Sequence, residues 1–330
     1  MYTISLKNGK SFTCDSNTTI FEAAKNAGII LEHSCLNARC RSCVVQVETG
    51  TIKDKLDDLV LTLEEKSSNW ILSCNTIPTS DLHLDIEDLS DIQLFDKKII
   101  PAKIQAIYKL NDTVIEVNLR LPPNSDFAYN PGQYVNISKG NLKRSYSIAN
   151  TFAENNLLHF YIKKYNGGEM SYYWFQEAKE NDLLRIEGPI GSFFLRESEY
   201  DNIVFLATGT GIAPIKSIIE SINFSDNKYQ NKKIWIFSGA RYENDLFWHP
   251  NELNEISNLR YIPVLSKASE DWVGEKGYIQ DILIKQNIPL ENAQVYACGS
   301  NNMIESAKKL LIENGLNNKN FFSDAFVATN

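Results

Sequence analysis

Four cysteines have a spacing that suits one kind of metal chemistry. Three of them, Cys35, Cys40 and Cys43, stand in one loop at C-x4-C-x2-C spacing, and Cys74 follows further along the chain. Three thiolates on a loop this short can converge on one cluster, while the fourth must come from elsewhere to complete the ligand set. This is the plant-type [2Fe–2S] spacing, and it predicts an iron–sulfur cluster that transfers single electrons.

Two other uses of these thiols stay open at this point. A structural zinc site is the nearest competitor, but such sites usually bring their ligands as two C-x2-C pairs, and Cys74 has no partner close to it in the sequence. A disulfide framework needs an oxidising compartment, and nothing in the chain indicates one. We therefore expect a cluster, with zinc as the alternative.

A glycine-rich turn is the second stretch with a chemical use. Residues 209–214, with the sequence G-T-G-I-A-P, follow a buried apolar run and open a helical pattern. A pyrophosphate binds at such a turn when it lies where the strand order of a parallel sheet reverses. Pro214 replaces the third glycine of the common fingerprint, and proline is favourable at the first position of a helix. An ordinary strand-to-helix turn is the alternative.

Three further stretches are weaker signals. In residues 165–171 two glycines stand directly before a helix predicted over 171–178, where backbone N–H groups could meet a phosphate. Residues 188–193 contain another glycine turn. Residues 144–147, R-S-Y-S, follow a predicted strand and are, by composition alone, a polar turn. Each of these signals is weak by itself, because most glycine turns have no chemical role.

The elements that must position these residues change character twice along the chain. Residues 1–90 read as a hairpin, a helix, the cysteine loop and two more strands, which predicts a β-grasp module (α+β), followed by a polar linker at 89–98. Residues 99–198 contain short β-branched and aromatic strands separated by turn signals, which predict an antiparallel β-barrel. In residues 199–330 buried strands alternate with helices, which is typical of an α/β doubly wound parallel sheet.

The composition argues against several classes of protein. The chain has 330 residues, of which 43 % are hydrophobic and 22 % charged, as in globular proteins with two or three domains. Its formal charge of −8 argues against a nucleic-acid partner, which would require a basic surface. We find no N-terminal signal and no apolar run long enough to cross a bilayer. The six cysteines fit a reducing cytoplasm, where we expect the protein to act.

The cysteine loop, the R-S-Y-S stretch and the G-T-G-I-A-P turn together resemble the ferredoxin–NADP⁺ reductase superfamily. The resemblance covers essentially the whole chain, and the order of its parts is that of the flavin reductase components of multi-component enzymes. It implies a plant-type ferredoxin domain, an FAD-binding barrel and an NAD(P)H-binding domain, and thus an NADH-dependent oxidoreductase with FAD and a [2Fe–2S] cluster. FAD is implied because the FMN relatives usually place the ferredoxin at the other end.

The resemblance also implies roles for individual residues. Arg144 would meet phosphate, Tyr146 would stack near the isoalloxazine ring and Ser147 would reach toward the flavin N5. Cys298 would line the nicotinamide site, so Ser147 and Cys298 are the two predicted catalytic residues. The full set of implied flavin and nucleotide contacts is Arg144, Ser145, Tyr146, Ser147, Tyr161, Gly167, Gly168, Met170, Ser171, Gly209, Thr210, Gly211, Pro214, Gly239, Arg241, Cys298 and Gly299.

Two features of the sequence bear on the cluster potential and on the choice between NADH and NADPH. Ala38 and Arg41 stand at or near positions where the family's cluster loop usually has glycine or a small residue, which affects the expected potential because nearby charge and hydrogen bonds set it. Arg39 and Arg41 would favour the reduced form or dock an acidic partner, or they are solvated charges with no special role. Residues 238–242 offer one arginine where a 2′-phosphate would need a basic cluster, which favours NADH over NADPH.

Two subfamilies share this order of parts and differ in the electron acceptor. One reduces oxygenases that act on aromatic compounds or alkanes. The other, in 3,6-dideoxysugar (O-antigen) biosynthesis, reduces the pyridoxamine-dependent dehydrase that removes O3 from CDP-4-keto-6-deoxyglucose. Residues 31–35 and 322–326 resemble the second more closely, so a sugar dehydrase is the expected partner and an oxygenase the alternative. A ferredoxin-like carrier on an inert scaffold is the non-enzyme alternative, against which Arg144 and Tyr146 argue.

Overall fold

The computed structural model describes residues 1–57, 60–89, 92–151, 156–250 and 256–326. The chain divides into two compact units, Met1–Leu94 and Phe95–Phe326. Residues 90 and 91 of the predicted linker lie outside the described residues. The three domain boundaries expected from the sequence stay predictions.

The first unit is a β-grasp module. Its described elements are β1 (Tyr2–Leu6), β2 (Ser11–Cys14), α1 (Ile20–Asn26), β3 (Val44–Thr49), β4 (Ile52–Asp54), α2 (Leu63–Ser67), β5 (Trp70–Leu72), β6 (Thr76–Pro78) and β7 (Leu82–Leu84). The main sheet has the order β2-β1-β7-β3-β5, and β4 pairs with β6 in a separate ribbon. The helix α1 begins at a capping box of Thr19 and Glu22 and buries its apolar face against the sheet. This places the cysteine loop, residues 35–43, between α1 and β3.

The second unit begins with an antiparallel barrel. Its described elements are β8 (Lys98–Lys109), β9 (Val114–Arg120), β10 (Tyr134–Lys139), β11 (Leu142–Ser147), β12 (Leu157–Lys163), α3 (Glu169–Tyr172, continued by a wider turn over Tyr173–Glu177) and β13 (Leu183–Ile190). The strand order is β11-β10-β13-β8-β9-β12. Fully buried side chains such as Val117, Val135 and Phe160 fill the interior.

Three stretches of the barrel differ from the sequence expectation. Residues 144–147 are not a turn but the end of β11, paired residue by residue with β10. Polar residues are tolerated there because β11 is the terminal strand in the sheet order. Residues 188–190 are likewise the end of β13 and not a turn, which begins only at Gly191, with φ +93°. The helix predicted over 171–178 begins two residues earlier, at Glu169.

The remainder of the second unit is a parallel sheet with helices. Its described elements are β14 (Asn202–Thr208), α4 (Ile212–Ser221), α5 (Asn227–Gln230), β15 (Lys233–Ala240), β16 (Leu259–Leu265), β17 (Glu275–Lys276), α6 (Ile279–Lys285), β18 (Ala293–Ser300), α7 (Asn301–Glu313) and β19 (Phe321–Phe326). The parallel order β17-β16-β15-β14-β18-β19 runs outward from β14 in both directions, so the strand order reverses between β14 and β18. None of the helices in the described part of the chain is long and apolar enough to cross a membrane.

Candidate functional site

The cysteine loop has an unusual backbone. Leu36, Ala38 and Arg41 all adopt left-handed conformations, with φ of 55°, 60° and 63°. Glycine adopts this conformation freely, whereas each other residue is destabilised by about 1–2 kcal/mol. The two family departures, Ala38 and Arg41, thus lie at positions whose backbone favours glycine. The loop adopts this backbone conformation even though the side chains at these positions disfavour it.

The three cysteines of the loop and Cys74 form two pairs. The sulfur atoms of Cys43 and Cys74 are 3.2 Å apart. Cys35 donates its backbone N–H to the sulfur of Cys40 at 3.3 Å, and Asn37 donates its N–H to the sulfur of Cys35 at 3.5 Å. The hydrogen bond with the Cys40 thiol, followed by the backbone N–H groups, lowers the pKa of Cys35 to about 6. The hydrogen bond with Cys43 likewise lowers the pKa of Cys74, whereas the hydrogen bonds within the pairs, followed by burial, raise the pKa of Cys40 and Cys43. Each pair therefore has one thiol that deprotonates readily, and the thiolate is the form that ligates a metal.

This arrangement fits a cluster better than a single ion. Among the described residues, no three His, Cys, Asp or Glu side chains converge as they would on one metal ion. Two pairs of thiols match two iron atoms, because each iron of a [2Fe–2S] cluster takes two cysteine ligands. All six cysteines are free, so the disulfide alternative has no support.

The predicted flavin motif lies on two faces of β11. Arg144 and Tyr146 share one face, while Ser145 and Ser147 point to the other, as the period of a strand requires. Arg144 donates from Nη1 to the carbonyl of Lys143 at 2.8 Å, and Ser145 donates to Oδ1 of Asn136 at 2.7 Å. Ser147 is buried.

Tyr146 is fixed by an aromatic neighbour. Its hydroxyl accepts a hydrogen bond from Nε1 of Trp174 at 2.9 Å, and the two rings meet edge to face. Burial raises the pKa of Tyr146 to about 12, so the hydroxyl is protonated near neutral pH. Trp174 belongs to the wide turn that continues α3, and this contact brings the glycine turn of residues 165–171 to the R-S-Y-S strand.

Four of the predicted contacts lie at the start of α3, two before the helix (Gly167 and Gly168) and two within it (Met170 and Ser171). Gly167 has φ +76°, and Gly168 begins the helix without a side-chain cap, so no side chain blocks the helix N-terminus there. Ser171 accepts the N–H of Tyr165 on its Oγ at 2.8 Å. Met170 lies in the barrel core, so only its backbone is available to a ligand.

The ends of β14 and β18 approach each other without intervening side chains. A Cβ on Gly211 would lie 2.2 Å from the carbonyl oxygen of Cys298, and one on Gly299 would lie 2.1 Å from Oγ1 of Thr208. The backbone N–H of Ser300 donates to the same Thr208 oxygen at 3.2 Å. This is the point where the strand order reverses, which is where parallel α/β sheets bind dinucleotides.

The flanking residues of this crevice are also placed by the sheet. Gly209 (φ +56°) and Thr210 belong to the short turn between β14 and α4. Pro214 is the third residue of α4 and not the first, where its missing N–H still breaks no helical hydrogen bond. Gly239 pairs with Thr208 near the end of β15, and Arg241 follows it as an exposed residue. The backbone N–H of Lys267 donates to the Arg241 carbonyl at 2.9 Å, so a second basic residue adjoins the one arginine that the sequence indicated.

Cys298 is buried beside a carboxyl group that the sequence analysis missed. Its side chain has no exposed surface, and burial, followed by the charge of Asp324, raises its pKa. Asp324 pairs with Cys298 across β18 and β19 and is itself buried. A charged residue between apolar residues of the final strand was the available signal. The predicted catalytic roles of Ser147 and Cys298 stay predictions, and a nicotinamide reaches this thiol only if its neighbours move.

Strand β12 connects the barrel to the nucleotide crevice. The exposed ammonium group of Lys163 lies 3.9 Å from the point where a Cβ on Gly209 would be, so a positive charge adjoins the glycine turn. Two residues earlier, the buried ring of Tyr161 meets Phe247 edge to face at a centroid distance of 5.1 Å. The sequence analysis missed Lys163, because no local motif places it beside a turn so distant in the chain.

Comparison with known protein families gives three matches in this order. Residues 5–79 match a 2Fe-2S iron-sulfur cluster binding domain, residues 101–195 an oxidoreductase FAD-binding domain and residues 205–309 an oxidoreductase NAD-binding domain. The matches contain the two cysteine pairs, the R-S-Y-S strand and the nucleotide crevice, respectively.

Whole-length relatives show the same order of parts. The chain is 35 % identical to the CDP-6-deoxy-L-threo-D-glycero-4-hexulose-3-dehydrase reductase of Yersinia pestis, over 97 % of this chain and 96 % of that protein. It is 28 % identical to the phenol hydroxylase P5 protein of Acinetobacter pittii, over 97 % and 92 %. The crystal structure of the Amycolatopsis cytochrome P450 reductase GcoB has a similar fold, with a TM-score of 0.74, 22 % identity and 99 % of both chains covered.

Proposed function

The chain belongs to the iron–sulfur flavoprotein reductases of the ferredoxin–NADP⁺ reductase superfamily, and we propose that a CDP-6-deoxyhexulose 3-dehydrase is its electron acceptor. It is an NADH-dependent oxidoreductase with FAD and a [2Fe–2S] cluster. The barrel residues would hold the FAD and the four cysteines the cluster, and these groups would supply the transfer of electrons from NADH to the dehydrase. In this proposal the reaction takes place in the cytoplasm, because the thiols that ligate a cluster must stay reduced and out of disulfides.

The barrel holds FAD in this proposal. Arg144 and the N-terminus of α3, at Gly167 and Gly168, offer positive charge and N–H groups to its phosphates. Tyr146, oriented by Trp174, supplies an aromatic surface for the ring system. When bound, FAD supplies the exchange between the electron pair of a hydride and single electrons.

The reversal point of the parallel sheet holds NADH. Gly211 and Gly299 let the turn after β14 and the end of β18 approach each other closely, while Gly209 has free space on its Cα, and Lys163 adds a positive charge beside it for the pyrophosphate. Thr208 fixes the distance between the two strand ends by accepting the N–H of Ser300. The residues of this chain therefore bind and orient the coenzyme, and the buried, neutral Cys298 thiol adds no charge beside it.

One observation supports the sugar dehydrase over an oxygenase as acceptor. The Yersinia relative named for the dehydrase shares 35 % of its residues with this chain, whereas the phenol hydroxylase relative shares 28 % over a similar length. The fold itself does not discriminate, because reductases of both kinds have the same order of parts.

The experiment measures NADH consumption and sugar products with the reconstituted protein, a CDP-6-deoxyhexulose 3-dehydrase and its CDP-sugar. We expect a 3-deoxy sugar only when reductase and dehydrase are both present. The Cys40→Ser variant is the matched control: it should retain NADH-dependent reduction of ferricyanide by the flavin but yield no sugar product, since the cluster is lost.

The opposite outcome is equally definite. If the wild-type protein reduces ferricyanide and its own cluster but gives no 3-deoxy sugar with the dehydrase, the acceptor assignment is wrong and the electron path stands. Reconstitution with the oxygenase component of a phenol hydroxylase would then test the alternative acceptor.

A further inference from the structure

A short segment covers one side of the cysteine loop. Leu61 is buried and packs with Cys43 and Leu72, and Ala38 and Cys74 adjoin the same apolar cluster. We call residues 60–67 the cover segment. Through Leu61 it packs in the same cluster as the buried Cys43 and adjoins the partly buried Cys74, so it covers part of the Cys43–Cys74 pair.

Within the cover segment, the burial of Leu61 anchors the residues before the helix but not the helix itself. Its helix, α2, has five residues with none of them buried, and Leu63 is 86 % exposed. A helix of this length is not stable in isolation, because nucleation is unfavourable and few hydrogen bonds follow it. The position of α2 must therefore depend on contacts at its ends.

Arg41 supplies such a contact from within the cysteine loop. Its Nη1 donates to the carbonyl of Val60 at 2.6 Å and to Oε2 of Glu65 at 3.2 Å, and its Nη2 donates to Oε1 of Glu65. The two side chains are 13 % and 28 % exposed, so water screens the pair only partly. A guanidinium fork on a carboxylate is geometrically specific as well as strong.

Glu65 transmits this contact to the start of the helix. Its Oε2 accepts the N–H of Thr62 at 2.8 Å, while Thr62 Oγ1 accepts the N–H of Glu65 at 3.1 Å. The carboxylate of Glu65 thus caps α2 and also binds Arg41, which lies between Cys40 and Cys43. Arg41 gains this role despite its left-handed backbone, with φ 63°.

We propose that Arg41 and Glu65 form a clamp that holds the cover segment closed over the Cys43–Cys74 side of the cluster. They are positioning residues: they retain the cluster by limiting solvent access to it. The inference needs a bound cluster but no particular electron acceptor. It also assigns Arg41 a structural partner, which leaves Arg39, an exposed residue, as the arginine of the loop that faces solvent.

The chain offers a matched control for each clamp residue. Arg39 lies on the other side of Cys40 from Arg41, and Glu64 is the exposed neighbour of Glu65 in the same helix. The variants Arg41→Gln and Glu65→Gln are therefore compared with Arg39→Gln and Glu64→Gln. The readout is the rate at which the purified holoprotein loses its visible cluster absorbance in the presence of an iron chelator, with no turnover.

We expect the two clamp variants to lose the cluster about tenfold faster than wild type, which corresponds to about 1.4 kcal/mol in the opening equilibrium. The two controls should stay within a factor of about two, the range of an exposed charge. In the double variant Arg41→Gln/Glu65→Gln the two single effects should fall short of multiplying, because the two residues share the contact between the guanidinium group and the carboxylate.

Three results would overturn the proposal: clamp variants that match wild type, controls that lose the cluster as fast as the clamp variants, or single effects that multiply in the double variant. If Arg41→Gln cannot be loaded with a cluster, Arg41→Lys takes its place, since it keeps the charge and loses the fork. A wild-type rate for Arg41→Lys would then contradict the clamp, and a rate faster than wild type would support it.

Discussion

Replacing Gly211 with alanine should damage the nucleotide crevice while leaving the flavin and cluster in place. The new Cβ would lie 2.2 Å from the carbonyl oxygen of Cys298 and 2.8 Å from the nitrogen of Gly299. Both neighbours are backbone atoms, so no side chain can rotate away. Reaching an ordinary van der Waals distance requires the turn and the end of β18 to separate by about 1 Å.

Two magnitudes follow from this displacement. Overpacking of this kind destabilises a protein by about 1–3 kcal/mol. A shift of about 1 Å in a group that orients a reactant lowers the rate by up to roughly 100-fold. We therefore expect kcat/KM for NADH to fall by roughly 10- to 100-fold in Gly211→Ala. FAD and iron content should equal those of wild type, because neither binding site includes this turn.

The assay is the reductive half-reaction, with NADH mixed anaerobically against oxidised protein and followed at the flavin band. Gly140→Ala is the control: Gly140 also has a positive φ, +57°, but open space surrounds its Cβ position. It should lower stability by about 1 kcal/mol through backbone strain alone and leave NADH kinetics unchanged. Wild-type NADH kinetics and stability in Gly211→Ala would refute the reasoning about the crevice.

Three further predictions test other parts of the structure. Ala38→Gly should raise the free energy of unfolding by about 1 kcal/mol in urea titrations, because it removes the strain of a left-handed backbone at residue 38. Asn37→Gly should give no such increase, and equal changes in the two variants would contradict the prediction. Lys163→Gln should raise KM for NADH by an amount equivalent to about 1 kcal/mol, and the increase should be smaller at high salt. The control is Lys164→Gln at the neighbouring exposed lysine, which should leave KM unchanged. Hydrogen bonds from two lysines lower the pKa of Glu187 to about 2 from its ordinary 4.5, so its carboxylate stabilises the fold above pH 4.5 and this contribution disappears as the pH falls through 2. Glu187→Gln should accordingly lower the melting temperature at pH 7 and not at pH 2, and an equal loss at both would show that the pairing is irrelevant.

The sequence indicated those parts of the candidate site whose residues lie close together along the chain. The cysteine spacing is a local property of one loop plus Cys74, and the structure joins these residues into two pairs as a two-iron cluster requires. The G-T-G-I-A-P turn was likewise recognisable, because a buried strand and a helix flank it. The strand and helix patterns of the three stretches sufficed to predict the β-grasp, the barrel and the doubly wound sheet.

Contacts between residues far apart in the chain were beyond the sequence. Lys163 reaches the glycine turn only because β12 ends there, and Asp324 meets Cys298 only through the pairing of β18 with β19. Residues 144–147 have the composition of a turn, but pairing with β10 makes them a strand. In each case tertiary pairing, and not local preference, decides the position.

The same dependence on distant contacts explains why the sequence did not predict the role of Arg41. In the sequence, Arg39 and Arg41 both stand beside a cysteine, and either could bind a partner, change the cluster potential or stay solvated. The structure distinguishes the two through Glu65, more than twenty residues away, which binds one arginine and not the other. Local charge patterns do not contain this information.

The central claim is the electron path from NADH through FAD to the cluster, and one anaerobic titration tests it most directly. NADH is added to the holoprotein and to a preparation from which the FAD has been removed, and the flavin and cluster bands are followed separately. We predict that the cluster of the holoprotein is reduced after the flavin and that the cluster of the FAD-free protein stays oxidised until FAD is restored. Reduction of the cluster by NADH without FAD, or a reduced flavin beside a cluster that stays oxidised, would contradict the account.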